Sequence, residues 1–206
     1  MKPSRLADSR GLYAITPDGL GGVALLESTS LALAGGALII QYRAKSRADR
    51  ETARGLSDLC RRYGALLIIN DDPKLAVDID ADGVHLGRDD ESIEQARRQV
   101  GSDRIIGVSC YGDLDRAREM AGRGADYLAF GSMYASPTKP EAARCRPEIL
   151  PAARDFGKPV VAIGGITLDR APDLIDAGAD LLAVISDLFD APDIGARAAA
   201  YSRLFD

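Results

Sequence analysis

The feature that most constrains this chain is a period. Short apolar runs alternate with amphipathic segments eight times between Leu12 and Leu204, with little else between them. Leu66-Leu67-Ile68-Ile69 is typical: consecutive large apolar residues read as a strand buried on both faces, as in a parallel sheet covered by helices. Read in order, strands are expected at 12–16, 38–43, from 66, 83–87, 105–110, 127–133, 159–165 and 181–186. Helices are expected at about 23–34, from an N-cap at Ser46 to about 63, from Pro73 behind an Asp72 cap, and at about 92–100, 113–121, 147–156, 168–177 and 194–204. Right-handed crossovers joining parallel strands, eight of them in 206 residues, are the signature of a closed (β/α)8 TIM barrel, an α/β fold in a single domain over residues 1–206. The alternative is an open doubly wound sheet. It lacks support, because no Gly-x-Gly-x-x-Gly precedes the first helix and no acidic residue ends the second strand. Gly124-Ala125-Asp126 and Gly178-Ala179-Asp180, before strands six and eight, read as structural helix stops feeding the sheet.

A net charge of -5 without a basic tail argues against a nucleic-acid binder. No signal peptide or membrane-length apolar stretch is visible, so no membrane role is expected. Cys60, Cys110 and Cys145 are far apart and lack a Cys-x-x-Cys pair, which fits reduced thiols in a cytoplasmic protein. With one histidine there is little material for a His-based metal site.

A parallel barrel builds its site at the carboxyl ends of its strands, so the residues that end each strand carry the functional reading. Strand two ends Gln41-Tyr42-Arg43-Ala44-Lys45, and a period of two places Gln41, Arg43 and Lys45 on one face. If the extended conformation continues to Lys45, two cations and an amide point together into the barrel mouth and suit an anion. Strand three ends in Asn70 and Asp71, and strand four is followed by Arg88-Asp89-Asp90. Neighbouring strands lie about 4.8 Å apart, so Asp71 and Asp90 can meet on one small cation. Oxygen ligands without His or Cys select Mg2+ or a similarly hard ion, which commonly adds substrate phosphate to one or two carboxylates. Asp89 is the other candidate for the second ligand. Ser109 ends strand five and could donate to a phosphate oxygen, whereas His85, alone in strand four, reads as a hydrogen-bonded structural residue. The long connection from Tyr134 to Pro147 carries Ser136, Thr138 and Lys139 between prolines, a composition suited to phosphate contact. Strand seven ends Gly164-Gly165-Ile166 and strand eight Ile185-Ser186, where barrels often hold a phosphate on backbone N–H groups.

These motifs, in this order, resemble the thiamine-phosphate synthase family over nearly the whole chain: Leu12-Tyr13-Ala14-Ile15-Thr16, Gln41-x-Arg43-x-Lys45, Asn70-Asp71, Gly83-Val84-His85-Leu86-Gly87 to Asp90, Gly107-Val108-Ser109, Ser136-Pro137-Thr138-Lys139, Gly164-Gly165-Ile166 and Val184-Ile185-Ser186. Singly each is commonplace; the ordered set is specific. The resemblance implies a TIM barrel that joins hydroxymethylpyrimidine pyrophosphate to a phosphorylated thiazole, releasing pyrophosphate and thiamine phosphate. It implies Mg2+ on Asp71 and Asp90, and pyrophosphate on Arg43, Lys45, Asn70, Ser109 and Lys139. Of these, Arg43, Lys45, Ser109 and Lys139 are the ones expected to act in catalysis. It further implies Gln41 against the pyrimidine, and Ser136, Thr138, Gly165, Ile185 and Ser186 around the thiazole phosphate. The partners implied are small molecules, and homo-oligomerisation is left open. Three positions depart from the family pattern: Ser136 where threonine is usual, Ser132 where proline commonly follows Gly131, and Tyr111 where a histidine often stands. A thiazole tautomerase, a silent thiamine-phosphate-binding module and a sugar-phosphate isomerase are the rival readings. The first two do not need the leaving-group ligands Arg43, Lys45, Asp71 and Lys139 together, and the third needs an inward acid/base pair that the sequence does not offer.

Overall fold

Side chains that alternate along each strand divide the apolar residues into two sets, one inside a barrel and one between the barrel and its helices. The computed structural model, which describes residues 6, 9–44, 48–135 and 144–206, has this arrangement. The strands are β1 (Gly11–Ile15), β2 (Ile39–Tyr42), β3 (Leu66–Asn70), β4 (Gly83–Leu86), β5 (Ile105–Tyr111), β6 (Tyr127–Phe130), β7 (Val160–Ile163) and β8 (Leu181–Val184). All pair in parallel with their sequence neighbours, and β8 closes on β1. The helices are α1 (Gly22–Ala34), α2 (Arg50–Tyr63), α3 (Pro73–Asp78), α4 (Ile93–Val100), α5 (Leu114–Gly122), α6 (Ile149–Ala153), α7 (Ala171–Asp176), α8 (Ser186–Phe189) and α9 (Ile194–Ser202). No helix among the described residues is long and apolar enough to cross a membrane.

Tyr13, Ile39, Leu66, Ile68, Ile105, Tyr127, Val161 and Leu181 pack inside the barrel, joined by the fully buried Leu6. Their sequence neighbours Leu12, Ile40, Leu67, Ile106, Leu128 and Leu182 pack on the outside against the helices. The inner position Gly107 of β5 carries glycine instead. A Cβ on Gly107 would lie 1.8 Å from a ring carbon of Tyr127, so the absence of a side chain there is what admits that ring. His85, Gly107 and Tyr127 share one register level on β4, β5 and β6, which lets the imidazole and the phenol reach each other across the gap.

Several boundaries differ from the sequence expectation. Helix α2 begins at Arg50 because the Asp49 carboxylate accepts from Thr52 N at 2.9 Å; the expected cap, Ser46, lies outside the described residues and three positions too early. Strands six, seven and eight stop sooner than expected, at Phe130, Ile163 and Val184. Beyond β7 the backbone leaves the strand region at Gly164 and Gly165, with φ of 104° and 60°. Beyond β8 it leaves at Ile185, and Ser186 opens the unexpected short helix α8. The expected Asp72 cap is present: its side chain accepts from Leu75 N at 2.9 Å with Pro73 in the first helical turn. The acids that precede strands also have a structural role. Asp82, Asp126 and Asp180 accept from backbone N–H groups at the start of the neighbouring strands, at Leu67, Ile106 and Val160, over 2.8–2.9 Å.

Candidate active site

The carboxyl ends of the strands open into a cavity of about 160 Å³ whose lining includes Gln41, Arg43, Asn70 and Ser109, four of the residues singled out by their place at strand ends. Arg43 follows the last residue of β2, and Thr16 holds it there. The buried Thr16 hydroxyl accepts from Arg43 N at 2.9 Å and donates to Arg43 O at 3.3 Å, extending the β1–β2 pairing by one side chain. The Arg43 guanidinium pairs with Asp18 at 2.7 Å, a partner that lay unnoticed in the Pro17-Asp18-Gly19 turn. Tyr42 instead packs outward against the helices, as the period of two requires.

Asn70 and Asp71 sit where β3 meets β4. Asp71 N donates to His85 O at 2.9 Å, and Asn70 Nδ2 donates to the Asp71 carboxylate at 2.6 Å. Asp71 holds a left-handed backbone, φ 62°, a conformation that Asp tolerates better than most residues. Asp90 turns back toward the end of β4, its carboxylate accepting from Gly87 N at 2.6 Å, while Asp89 is exposed. No group of three or more His, Cys, Asp or Glu side chains converges among the described residues. Two carboxylates on adjacent strand ends are nonetheless a donor set that suits a hard cation completed by water and phosphate.

Gly165, Ile185 and Ser186 lie together. A cavity of about 30 Å³ is lined by residues 163–166 and 183–186, and Ile163, Gly164, Ala183 and Ile185 line both this cavity and the larger one. A Cβ on Gly165 would fall 2.3 Å from Ala135 O, so only glycine allows the two loops to approach this closely. Lys45, Ser136, Thr138 and Lys139 lie outside the described residues.

The sequence reading left three polar groups out of the site. Tyr13 and Tyr127, fully buried, face the cavity floor, and His85 lies between Tyr127 and Ser109. Both ring nitrogens of His85 are hydrogen-bonded, as a structural histidine's would be. The tyrosines carried a signal that went unused, because a Tyr at an inward strand position brings a hydroxyl that needs a partner. Tyr111, one of the departures, also lines the cavity; its hydroxyl accepts from Arg88 N at 3.2 Å and the Arg88 guanidinium lies 4.7 Å over its ring. Burial pushes the thiols of Cys60 and Cys110 up to about 12 and that of Cys145 to about 11, so none supplies a thiolate nucleophile at neutral pH.

Comparison with known proteins agrees with this arrangement. A family model described as thiamine monophosphate synthase matches residues 12–188. A thiamine-phosphate synthase from Thiobacillus denitrificans is 54% identical, covering 95% of this chain and 94% of its own. One from Methylobacillus flagellatus is 51% identical over 96% of both chains. The solved thiamine phosphate pyrophosphorylase of Pyrococcus furiosus superposes with a TM-score of 0.86 at 36% identity, again over 96% of both chains. The chain therefore belongs to the thiamine monophosphate synthase family.

Proposed function

We propose that this chain, acting as one catalytic domain, joins hydroxymethylpyrimidine pyrophosphate to a phosphorylated thiazole or its carboxylated form, yielding thiamine phosphate and pyrophosphate. The observation that carries this reading is the pairing of two adjoining cavities. One is lined by Gln41, Arg43, Asn70 and Ser109, and the other is built from the backbone that follows β7 and β8. One mouth thus offers a place for a charged leaving group beside a place for the acceptor's phosphate.

In this reading the C–O bond to the pyrimidine methylene breaks first, its electron pair leaves with pyrophosphate, and the pyrimidine ring stabilises the cation that remains. The thiazole nitrogen then closes the new C–N bond. No protein nucleophile is needed. Arg43, Lys45, Asn70, Ser109 and Lys139 would bind the departing pyrophosphate, with Arg43, Lys45, Ser109 and Lys139 acting on its growing charge. The Asp18 contact would keep the Arg43 guanidinium aimed before substrate arrives. Gln41 would contact the pyrimidine, and Ser136, Thr138, Gly165, Ile185 and Ser186 would seat the thiazole phosphate and align its nitrogen. Asp71 and Asp90 would hold Mg2+, and the inward turn of Asp90 beside exposed Asp89 favours Asp90 as the second ligand. When bound, Mg2+ would supply charge neutralisation to the pyrophosphate. Three buried, unpaired thiols suit a reducing compartment such as the cytoplasm.

Purified protein given both substrates and Mg2+ should form thiamine phosphate and pyrophosphate in equal amounts, and EDTA should stop both. Binding of the thiazole phosphate without any product would replace this reading with a tautomerase or a silent binding protein.

A further inference from the structure

Five side chains from five strands form one continuous hydrogen-bond chain across the cavity floor. Gln41 Nε2 donates to the Tyr13 hydroxyl at 2.7 Å, which meets the Tyr127 hydroxyl at 2.7 Å. That hydroxyl meets His85 Nδ1 at 2.8 Å, and His85 Nε2 meets Ser109 Oγ at 2.9 Å. The Tyr127 ring stacks on the imidazole at 5.6 Å and meets the Tyr13 ring edge-on at 5.9 Å, so the order of the chain is set by packing as well as by hydrogen bonds. Burial raises the ionisation of both phenols, and each therefore keeps its single proton.

Counting protons gives the chain a direction. Gln41 spends an amide proton on Tyr13, so the Tyr13 proton must go to Tyr127, its other partner in the chain. Tyr127 then donates to His85 Nδ1. With Nδ1 an acceptor, the neutral imidazole carries its proton on Nε2 and gives it to Ser109, whose own proton remains for a ligand. The opposite tautomer, or an imidazolium, would make Tyr127 donate to Tyr13. With the Gln41 amide nitrogen on Tyr13, as in the structure, Tyr13 would then accept twice while its own proton, fully buried, had no acceptor in the chain; the reversed chain requires the amide turned over, with its nitrogen rather than its oxygen toward the ligand.

We propose that Tyr13, Tyr127 and His85 are positioning residues. Their one-way chain holds Gln41 with its carbonyl oxygen, and Ser109 with its hydroxyl proton, available to the substrate. The chain thereby couples two ligand contacts on opposite sides of the floor. Gln41 Oε1 accepts from an amino substituent on a heteroaromatic ring and opposes an oxo group at the same place. Ser109 donates to the anionic leaving group. This rests on the reaction proposed above, which identifies the ring as an aminopyrimidine.

Because the chain holds a single histidine, its imidazole nitrogens can be read without ambiguity by 15N NMR of the whole protein. The Nε2–H tautomer is expected, and an Nδ1–H tautomer or an imidazolium at neutral pH would overturn the proposal. Calorimetric titration with the aminopyrimidine pyrophosphate and its deaminated, oxo counterpart should show a preference for the amino form on the order of a hundredfold. In Tyr127→Phe, the Tyr13 proton loses its acceptor and turns to the Gln41 carbonyl, which rotates the amide nitrogen toward the ligand. The amino preference should fall by about tenfold or more, and the histidine should become a mixture of tautomers. An unchanged preference in a folded Tyr127→Phe protein would refute the coupling. Neither readout uses turnover, so an Nε2–H tautomer with intact amino preference but no thiamine phosphate would uphold the chain and remove only the reaction.

Discussion

The two ends of the barrel use the same residue type in opposite ways. At the amino-terminal end Asp82, Asp126 and Asp180 each accept from a backbone N–H of the neighbouring strand, and Arg97 and Arg154 pair with the last two. These carboxylates complete the sheet's hydrogen bonding. At the carboxyl-terminal end Asp71 is exposed on a left-handed backbone and Asp90 reaches back to its own loop at Gly87. An acid that repairs the sheet is evidence of stability, whereas an acid held at a conformational cost beside the cavity is evidence of function.

The largest effect should come from breaking this division at Asp71. Asp71→Gly removes a carboxylate that the proposed reaction needs, and turnover should fall by about a hundredfold or more. The same change relieves the left-handed backbone, whose cost is about 1 kcal/mol, so the melting temperature should hold or rise slightly. Steady-state assay beside a thermal melt reads both at once. Near-normal turnover would remove Asp71 from the metal assignment, and a large drop in melting temperature would place it with the acids of the other end.

How much of this contrast was legible in advance follows from its physical causes. Apolar periodicity placed all eight strands because burial on both faces leaves no choice of side chain along Leu66-Leu67-Ile68-Ile69 and its counterparts. The recurrent Gly-Ala-Asp pointed to structure for the same reason, since each repeat meets the same need at the foot of a strand. Strand ends were less legible. Where β7 and β8 stop depends on the backbone turning at Gly164 and Ile185, which apolar patterning does not encode. The start of α2 was misplaced by three residues, because the cap is Asp49, through its bond to Thr52, rather than the expected Ser46. Within the site, Gln41, Arg43, Asn70 and Ser109 were visible as polar residues interrupting apolar strands, and the structure gathers them into one cavity. Tyr13 and Tyr127 were not, because a tyrosine inside an apolar run looks like core until its hydroxyl's partner is seen. That partner lies 114 residues away.

At the opposite end, Asp126 sharpens the comparison. Its carboxylate satisfies Ile106 N and pairs with Arg97 at 2.8 Å in each case, with about a quarter of its side chain exposed. Asp126→Ala leaves a strand N–H and a guanidinium without that acceptor, a loss of about 2 kcal/mol. For a domain of this length the melting temperature should drop by about 4–8 °C. Turnover well below the transition should stay near that of the parent, since the cavity is at the far end of the strands. A hundredfold loss of turnover in a protein still folded at the assay temperature would mean that the two ends are not independent.

The smallest effect belongs to the wall between them, where the Glu94–Arg123 pair joins α4 to the end of α5 at 2.6 Å on the partly exposed surface. The hydrogen bond from Arg123 holds the Glu94 carboxyl down at about 2, below its unfolded range. A depressed folded-state value means that whatever stability the pair contributes is present above the unfolded carboxylate range near pH 4.3 and is lost as pH falls toward 2. Solvent and salt screen it, and the ordering of two long side chains offsets what is left. Glu94→Gln should therefore melt with its parent at neutral pH in physiological salt, with any difference appearing only at low salt and vanishing in strong acid. Unlike Asp126, Glu94 satisfies no strand N–H among the described residues; its strongest bonds run to the Arg123 guanidinium. If Glu94→Gln cost as much as Asp126→Ala, the stabilising element at the foot of the barrel would be the ion pair rather than the backbone bond. The separate Asp126→Asn variant, which retains an acceptor for Ile106 N but surrenders the charge, should then fail as badly as Asp126→Ala instead of recovering most of its stability.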